Sequence, residues 1–411
     1  MVRQSSVPLP SSFMKLAWSN LFAQLSEQVG LAAAPLVAVL TLGASASDTG
    51  LLQTAQTMPF LLLSIPAGIL ADRICRKRLM VGSEALRFTS FLFLLGLVIS
   101  GHLTLVMLGL LGFLGATGTV VYSVTAPALV PTLVNREQLG LANRWLELAR
   151  STAFAAGPAA GGTIVGWIGV STAYMFSAVV SLSAVVLLTQ LQTPAVARPL
   201  RKSVFRDLHE GWSFVITHSL LRPILITAII YNTSWFILQA VYVAYAVDVI
   251  GMTPTVIGVT LGLYGLGMIV GAILAPRLAL GLRYGIMIAL GPLSALLASL
   301  IMLATIWLPF SVVAGLSLFL FGLGPVLWTI ATITLRQSVT PNIMLGRVSA
   351  LIMTCTFGSR PIGATIGAVI ATEFGVNACL LVSFIGFSLQ LAILLASPAS
   401  KLLKIPEIRH A

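Results

Sequence analysis

The chain has 411 residues, of which 58% are hydrophobic and only 8% charged, with 23 Lys and Arg against 11 Asp and Glu. A soluble domain carries roughly 25% charged residues, so these few charges cannot coat a water-soluble globule of this size, and a chain this apolar does not stay unfolded. A polytopic membrane protein remains, and the net charge of +12 reads as orientation and contact with anionic membrane lipid, not as nucleic-acid binding.

Apolar runs broken by Gly, Pro and polar residues predict twelve spans, each near the roughly 20 residues a crossing needs. The first six are 16–42, 50–71, 79–100, 103–126, 142–166 and 171–193; the second six are 223–246, 255–276, 285–306, 310–335, 347–371 and 376–397. With the N-terminus inside, 20 of the 23 basic residues fall in the tails, the linker and the loops on one side, while Arg87, Arg150 and Arg360 fall within spans. Lys and Arg stay cytoplasmic, which predicts both termini on the cytoplasmic side of a bacterial-type inner membrane. The fold class is therefore an all-α membrane protein. Its expected divisions are an N-terminal six-helix bundle (1–193), a cytoplasmic linker (194–222) and a C-terminal six-helix bundle (223–411).

The first span carries Asn20, Gln24, Glu27 and Gln28 at helical spacing, so these polar residues share one face. Glu27 lies about 16 Å into that span at roughly 1.5 Å per residue. An ion at such depth is costly unless paired or hydrated, and a carboxylate there can take up and release a proton; a permanently paired structural glutamate is the alternative. Gln53 and Gln56 on the second span border the same region. The loop GILADRICRKRL (68–79) then combines Gly68, Asp72, Arg73, Arg76 and Lys77. Glu84 with Arg87, and Glu147 with Arg150, stand three apart on spans three and five, as opposite charges that can pair locally. Span five continues into AFAAGPAAGG (153–162), where Gly157, Gly161 and Gly162 permit close packing and Pro158 bends the helix.

Between spans six and seven, residues 203–219 read as an interfacial helix with Phe205, Trp212, Phe214 and Val215 on its apolar side. Span seven presents Asn232, Trp235, Gln239 and Tyr242, and span ten Phe321, Trp328 and Thr332; such faces mixing aromatic and amide groups suit either an amphipathic ligand or plain packing. Arg360, immediately before Pro361, is the deepest cation, open to a substrate contact, a pair with Glu27 or a helix-kink tether. The chain contains no Gly-Lys dipeptide, hence no P-loop, and its four His are scattered, so no metal site, cofactor or enzymatic activity is expected.

Internal repetition ties the halves together. ILADR (69–73) recurs as ILAPR (273–277), Pro158 in AAGPAAGG corresponds to Pro361 in GSRPIGAT, and Asp48 and Asp248 each fall in an outer loop before the next span, at offsets of 204, 203 and 200. Six spans is an even number, so the two copies run in parallel. Parallel repeats of this kind alternate access by rocking one half against the other.

The 68–79 loop resembles the signature G-x-L-A-D-R-x-G-R-[RK] of the major facilitator superfamily, with Cys75 at the second glycine, and 153–162 is similar to that superfamily's antiporter signature, with Ala153 at the leading glycine. Residues 127–143, 207–215 and 334–350 look like its enterobactin-exporter and macrolide-efflux branch. The resemblance implies a twelve-helix secondary transporter, acting as a monomer, with Asp72 gating the inner side and Glu27 coupling export of a small amphipathic molecule (a drug-like compound or siderophore-type metabolite) to an incoming proton. An importer or a non-transporting receptor is the alternative reading.

Overall fold

The structure is a computed structural model and describes residues 9–135, 138–192 and 204–404. Among them are thirteen α-helices and no strand: α1 (Ser11–Leu42), α2 (Ala46–Arg73), α3 (Arg76–Ile99), α4 (Leu105–Leu133), α5 (Leu139–Trp167), α6 (Val170–Thr189), α7 (Val204–Thr217), α8 (Leu221–Asp248), α9 (Pro254–Gly281), α10 (Tyr284–Ala304), α11 (Ser311–Val339), α12 (Asn342–Phe374) and α13 (Val376–Ala396). Nine are long and apolar enough to cross a membrane by length and composition, judged on the described residues. The remaining long helices are α2, α5 and α12. These three supply much of the contact between the two halves.

The helices alternate in direction, giving one face with the N-terminus and α7 (the linker face) and an opposite, far face. Three helices begin at the far face with a hydroxyl cap, which satisfies amides that the first turn leaves unbonded. Ser45 and Asp48 form a reciprocal capping box on α2, Thr104 accepts from Met107 on α4, and Thr253 accepts from Val256 on α9. At the other end of α1, Gly43 stops the helix at φ +64°, a conformation glycine takes without strain.

Within the first six helices, α1 packs on α5 and α6, α3 on α4 and α6, and α2 on α4. The six after α7 repeat that pattern: α8 packs on α12 and α13, α10 on α11 and α13, and α9 on α11. Small hydroxyls sit at matching places, Ser26 donating to the Ser177 carbonyl (2.8 Å) in one half and Ser383 to the Ser234 carbonyl (3.0 Å) in the other. The halves meet along α2–α12, α5–α9 and α2–α8. Far-face contacts include Ser47 with Thr372 at 2.6 Å and Thr54 with Thr365 at 3.2 Å. Glycine backbones pass closely there too: a Cβ on Gly50 would lie 2.8 Å from the Ala368 Cα, and one on Gly162 2.5 Å from the Gly258 Cα.

Three sequence expectations are corrected. Asp48 lies in the first turn of α2 whereas Asp248 is the last residue of α8, so the two are not equivalent, and ILAPR ends one turn before the end of α9 whereas ILADR closes α2. Several helices outrun the predicted spans at the linker face (α4 to Leu133, α9 to Gly281, α12 from Asn342), because a helix continues into water where its apolar run stops. The linker helix, finally, is docked on protein as well as amphipathic. Val215 is fully buried with Leu221, Leu225, Val348 and Leu351, Gly211 lies against the Arg347 backbone, and Glu210 pairs with Arg347 on α12, leaving Trp212 exposed. Phe205's side chain lies outside the described residues.

Candidate functional site

Glu27 occupies the middle of α1, and its neighbours come from three other helices. Arg87 of α3 stands 3.8 Å from the Glu27 carboxylate and 2.9 Å from Glu84, one turn away on its own helix. The same guanidinium donates to the Ala23 carbonyl of α1 and to Thr119 Oγ1 of α4, both at 2.9 Å. Glu84 in turn accepts from Ser181 Oγ of α6 at 2.6 Å. Two carboxylates thus share one guanidinium. Their burial differs: the Arg87 and Glu84 side chains are 3% and 0% exposed, Glu27 16%. Arg87 and Glu84 form a tight, hydrogen-bonded pair; Glu27 is the looser and more accessible partner. The sequence places Glu84 and Arg87 as a local pair, which they are, but Ser181 and Thr119 carry no signal that would link them to α1.

Arg360, near the middle of α12, is not paired with Glu27, although the two lie within electrostatic reach. Aromatic rings surround its guanidinium instead: Phe357 one turn back at 4.1 Å, Phe60 of α2 at 5.2 Å and Phe236 of α8 at 5.4 Å from ring centre to Cζ. Arg360 Nε is buried with no hydrogen-bond partner. Beyond this cage the C-terminal half is aromatic. Tyr264 stacks on Trp235 at 5.1 Å, Trp235 meets Phe321 at 4.8 Å, Phe321 meets Phe387 at 5.1 Å, and Phe387 meets Tyr231 at 5.6 Å. The buried charge cluster belongs to one half and this ring chain to the other. Phe357 could be found from its three-residue spacing to Arg360; Phe60 and Phe236 are brought in by tertiary packing.

The other expected cavity residues divide. Gln24 and Gln239 are half-buried. Asn20 donates to the Leu146 carbonyl of α5 at 3.4 Å, and Asn232 to the Ala228 carbonyl one turn back at 3.0 Å. Tyr242 is 2% exposed, its hydroxyl 2.6 Å from Thr260 of α9. Trp328 packs over Gly291 of α10, its Nε1 buried without a partner, and Gln56 lies against Gly112 of α4. Gln28 lies against Gly157.

The 153–162 motif faces two ways. A Cβ on Gly157 would come 2.4 Å from the Gln28 Cβ and one on Gly161 3.0 Å from the Val29 carbonyl, so these two seat α5 on α1. Gly162 seats the same helix on α9, and the Pro158 carbonyl lies against Gly258. One short segment therefore sets packing inside a half and across the halves. In the 68–79 loop, Cys75 has an ordinary φ of −58° at the start of α3, so the turn makes no demand for glycine there. Gly68 has open space over its Cα, Arg76 begins α3, and the Asp72 and Arg73 side chains lie outside the described residues.

Known proteins repeat this architecture. A transporter of Sinorhizobium fredii described as an uncharacterized MFS-type transporter is 28% identical over 343 residues, 79% of this chain and 80% of its own length. The enterobactin exporter EntS of Escherichia coli is 28% identical over 73% of this chain and 71% of its own, and macrolide efflux protein A of Streptococcus pyogenes 23% identical over 79% and 81%. The nucleoside transporter NupG has the same fold at a TM-score of 0.77 and 11% identity, covering 94% of this chain and 99% of its own. A bacterial homologue of the iron transporter ferroportin, in an inward-facing state, follows at a TM-score of 0.75 and 17% identity, covering 95% and 98%. The family model for transmembrane secretion effectors matches residues 5–408, and the chain belongs to that family of major facilitator transporters, multi-pass membrane proteins that act on small molecules.

Proposed function

We propose that this transporter exports a small amphipathic molecule from the cytoplasm in exchange for a proton, with Glu27 as the proton carrier. The observation that carries the reading is the sharing of one guanidinium by two carboxylates, of which Glu27 is the looser and more accessible, 16% exposed against 0% for Glu84. Glu84 and Ser181 hold Arg87 in place whatever the state of Glu27. When Glu27 is ionised, Arg87 attracts it; when a proton neutralises it, that attraction ends, and the Arg87 bond to the Ala23 carbonyl is what still joins the guanidinium to α1. Removing a buried charge in this way biases a two-state packing by the difference in electrostatic energy between the states.

The moving parts are the bundles 1–193 and 223–411, joined by the linker 194–222. With the linker face read as cytoplasmic from its basic residues, the far-face contacts along α2–α12 and α5–α9 support an inward-facing conformation. Export is favoured by the family's description as secretion effectors and by relatives named for enterobactin export and macrolide efflux. The test is Glu27→Gln in proteoliposomes carrying a transported compound. Proton-driven efflux is expected to fall by about a hundredfold, as when an essential proton-transfer group is removed, while binding of the compound persists. Full proton-driven efflux by the variant would refute the assignment.

A further inference from the structure

A guanidinium deep in a membrane protein normally meets a carboxylate or backbone carbonyls. Arg360 meets neither: among the described residues it lies in no ion pair, donates no hydrogen bond, and has Nε buried without a partner. Phe357, Phe60 and Phe236 contact it instead. Rings hold a guanidinium through its faces, by attraction between the cation and the negative ring face, and leave the N–H groups on its rim unused. That rim is the planar fork that matches a carboxylate or similar oxyanion with two parallel hydrogen bonds. Tyr231, within electrostatic reach, adds a second buried donor with no partner, its hydroxyl. The ring chain running from Tyr231 through Phe387, Phe321 and Trp235 to Tyr264 supplies flat apolar walls beside it.

We infer that Arg360 and its aromatic surround form the specificity site of the transporter, taking the oxyanion of a planar aromatic substrate. The inference deepens the export reading by naming the substrate's chemistry, and rests on it for the word substrate. The cage is also built across the halves: Phe60 comes from α2 and the other two rings from α8 and α12. Parting α2 from α12 at the far face takes one ring off the guanidinium, so the site is complete in the present conformation and loosened in the opposite one, as release requires.

The test is equilibrium dialysis of the whole protein in lipid nanodiscs, without any gradient, against 2-naphthoate, 2-naphthamide and 2-naphthylmethylammonium. The naphthoate is expected to bind about tenfold or more tighter than the amide, the size of one charge-assisted bidentate contact, and the ammonium weakest. Arg360→Gln should bring naphthoate and naphthamide to within about twofold of each other, and Arg360→Lys, which keeps the charge but not the fork, should narrow the gap at least about threefold. Equal binding of naphthoate and naphthamide by the wild type, no saturable naphthoate binding, or an unchanged gap in either variant would overturn the inference. Should Arg360→Gln fail to fold, the wild-type panel and Arg360→Lys decide it. Because no gradient is involved, these outcomes are independent of the Glu27→Gln efflux result, and either reading can fail while the other stands.

Discussion

Arg87 is the residue on which the buried cluster depends, since among the described residues it is the cation paired with both Glu27 and Glu84, and it also ties α3 to α1 and α4. Breaking a buried pair from one side leaves a bare charge in a low dielectric and costs about 3–5 kcal/mol. Arg87→Gln is therefore expected to lower thermal stability by that order, measured by unfolding in detergent, and Glu84→Gln combined with Arg87→Gln should recover part of the loss. At the surface, His218 sets a pH-dependent contact. Its Nδ1 accepts the backbone N–H groups of Leu220 and Leu221 at 3.2 and 3.4 Å, fastening the start of α8, and partial burial lowers its pKa from the ordinary 6.5. Only neutral imidazole can accept there. A base with a lowered folded-state pKa contributes its full stability above the unfolded value and loses it as pH falls below. The amides of Leu220 and Leu221 should thus exchange faster with solvent as pH drops below about 6.5, after correction for intrinsic exchange, and His218→Ala should abolish that dependence.

Among the elements, α5 bears two contacts at once, and its glycines separate them. Gly162 faces α9, where a side chain would meet the Gly258 backbone; Gly157 faces α1 and Gln28. Overpacking of this kind costs about 1–3 kcal/mol where the backbone cannot yield. Gly162→Val is expected to weaken the far-face closure, seen as a longer α5–α9 distance by spin-label measurements, whereas Gly157→Val should lower the stability of the N-terminal half without lengthening that distance. The motif's small residues are plain in the sequence, as is the amphipathic character of α7. Which neighbour each glycine admits is not, because helical periodicity assigns a residue to a face and leaves open what covers the face. Val215 shows the same limit: its period marks it as apolar, and only packing decides that it meets Val348 and Leu351.

For the molecule as a whole, apolar runs and basic loops sufficed for the all-helical membrane fold, and the 68–79 and 153–162 segments for the superfamily. Glu27 and Arg360 stand out in the sequence for a simple reason: an ion inside an apolar run is expensive and visible. Their surroundings do not, since Ser181, Thr119 and Phe60 are ordinary membrane-helix residues until the fold gathers them. Alternation between two arrangements can be tested at the far face. Ser47 and Thr372, whose hydroxyl oxygens are 2.6 Å apart, sit on opposite halves. With both replaced by cysteine, Ser47→Cys and Thr372→Cys, oxidation should cross-link the chain and stop transport, and reduction should restore it. Undiminished transport by the cross-linked protein would count against a rocking mechanism.

The unequal sharing of Arg87 has an electrical consequence. Counting Glu27, Glu84, Arg87 and Arg360, the interior sums to zero while every group is ionised and becomes singly positive once Glu27 is protonated. One elementary charge crossing the full bilayer is worth about 2.3 kcal/mol per 100 mV, and a charge at mid-depth senses a fraction of that. On the proposed proton exchange, an inside-negative potential would pull the protonated form toward its cytoplasm-facing arrangement, and voltage would power turnover even where the two aqueous phases share one pH.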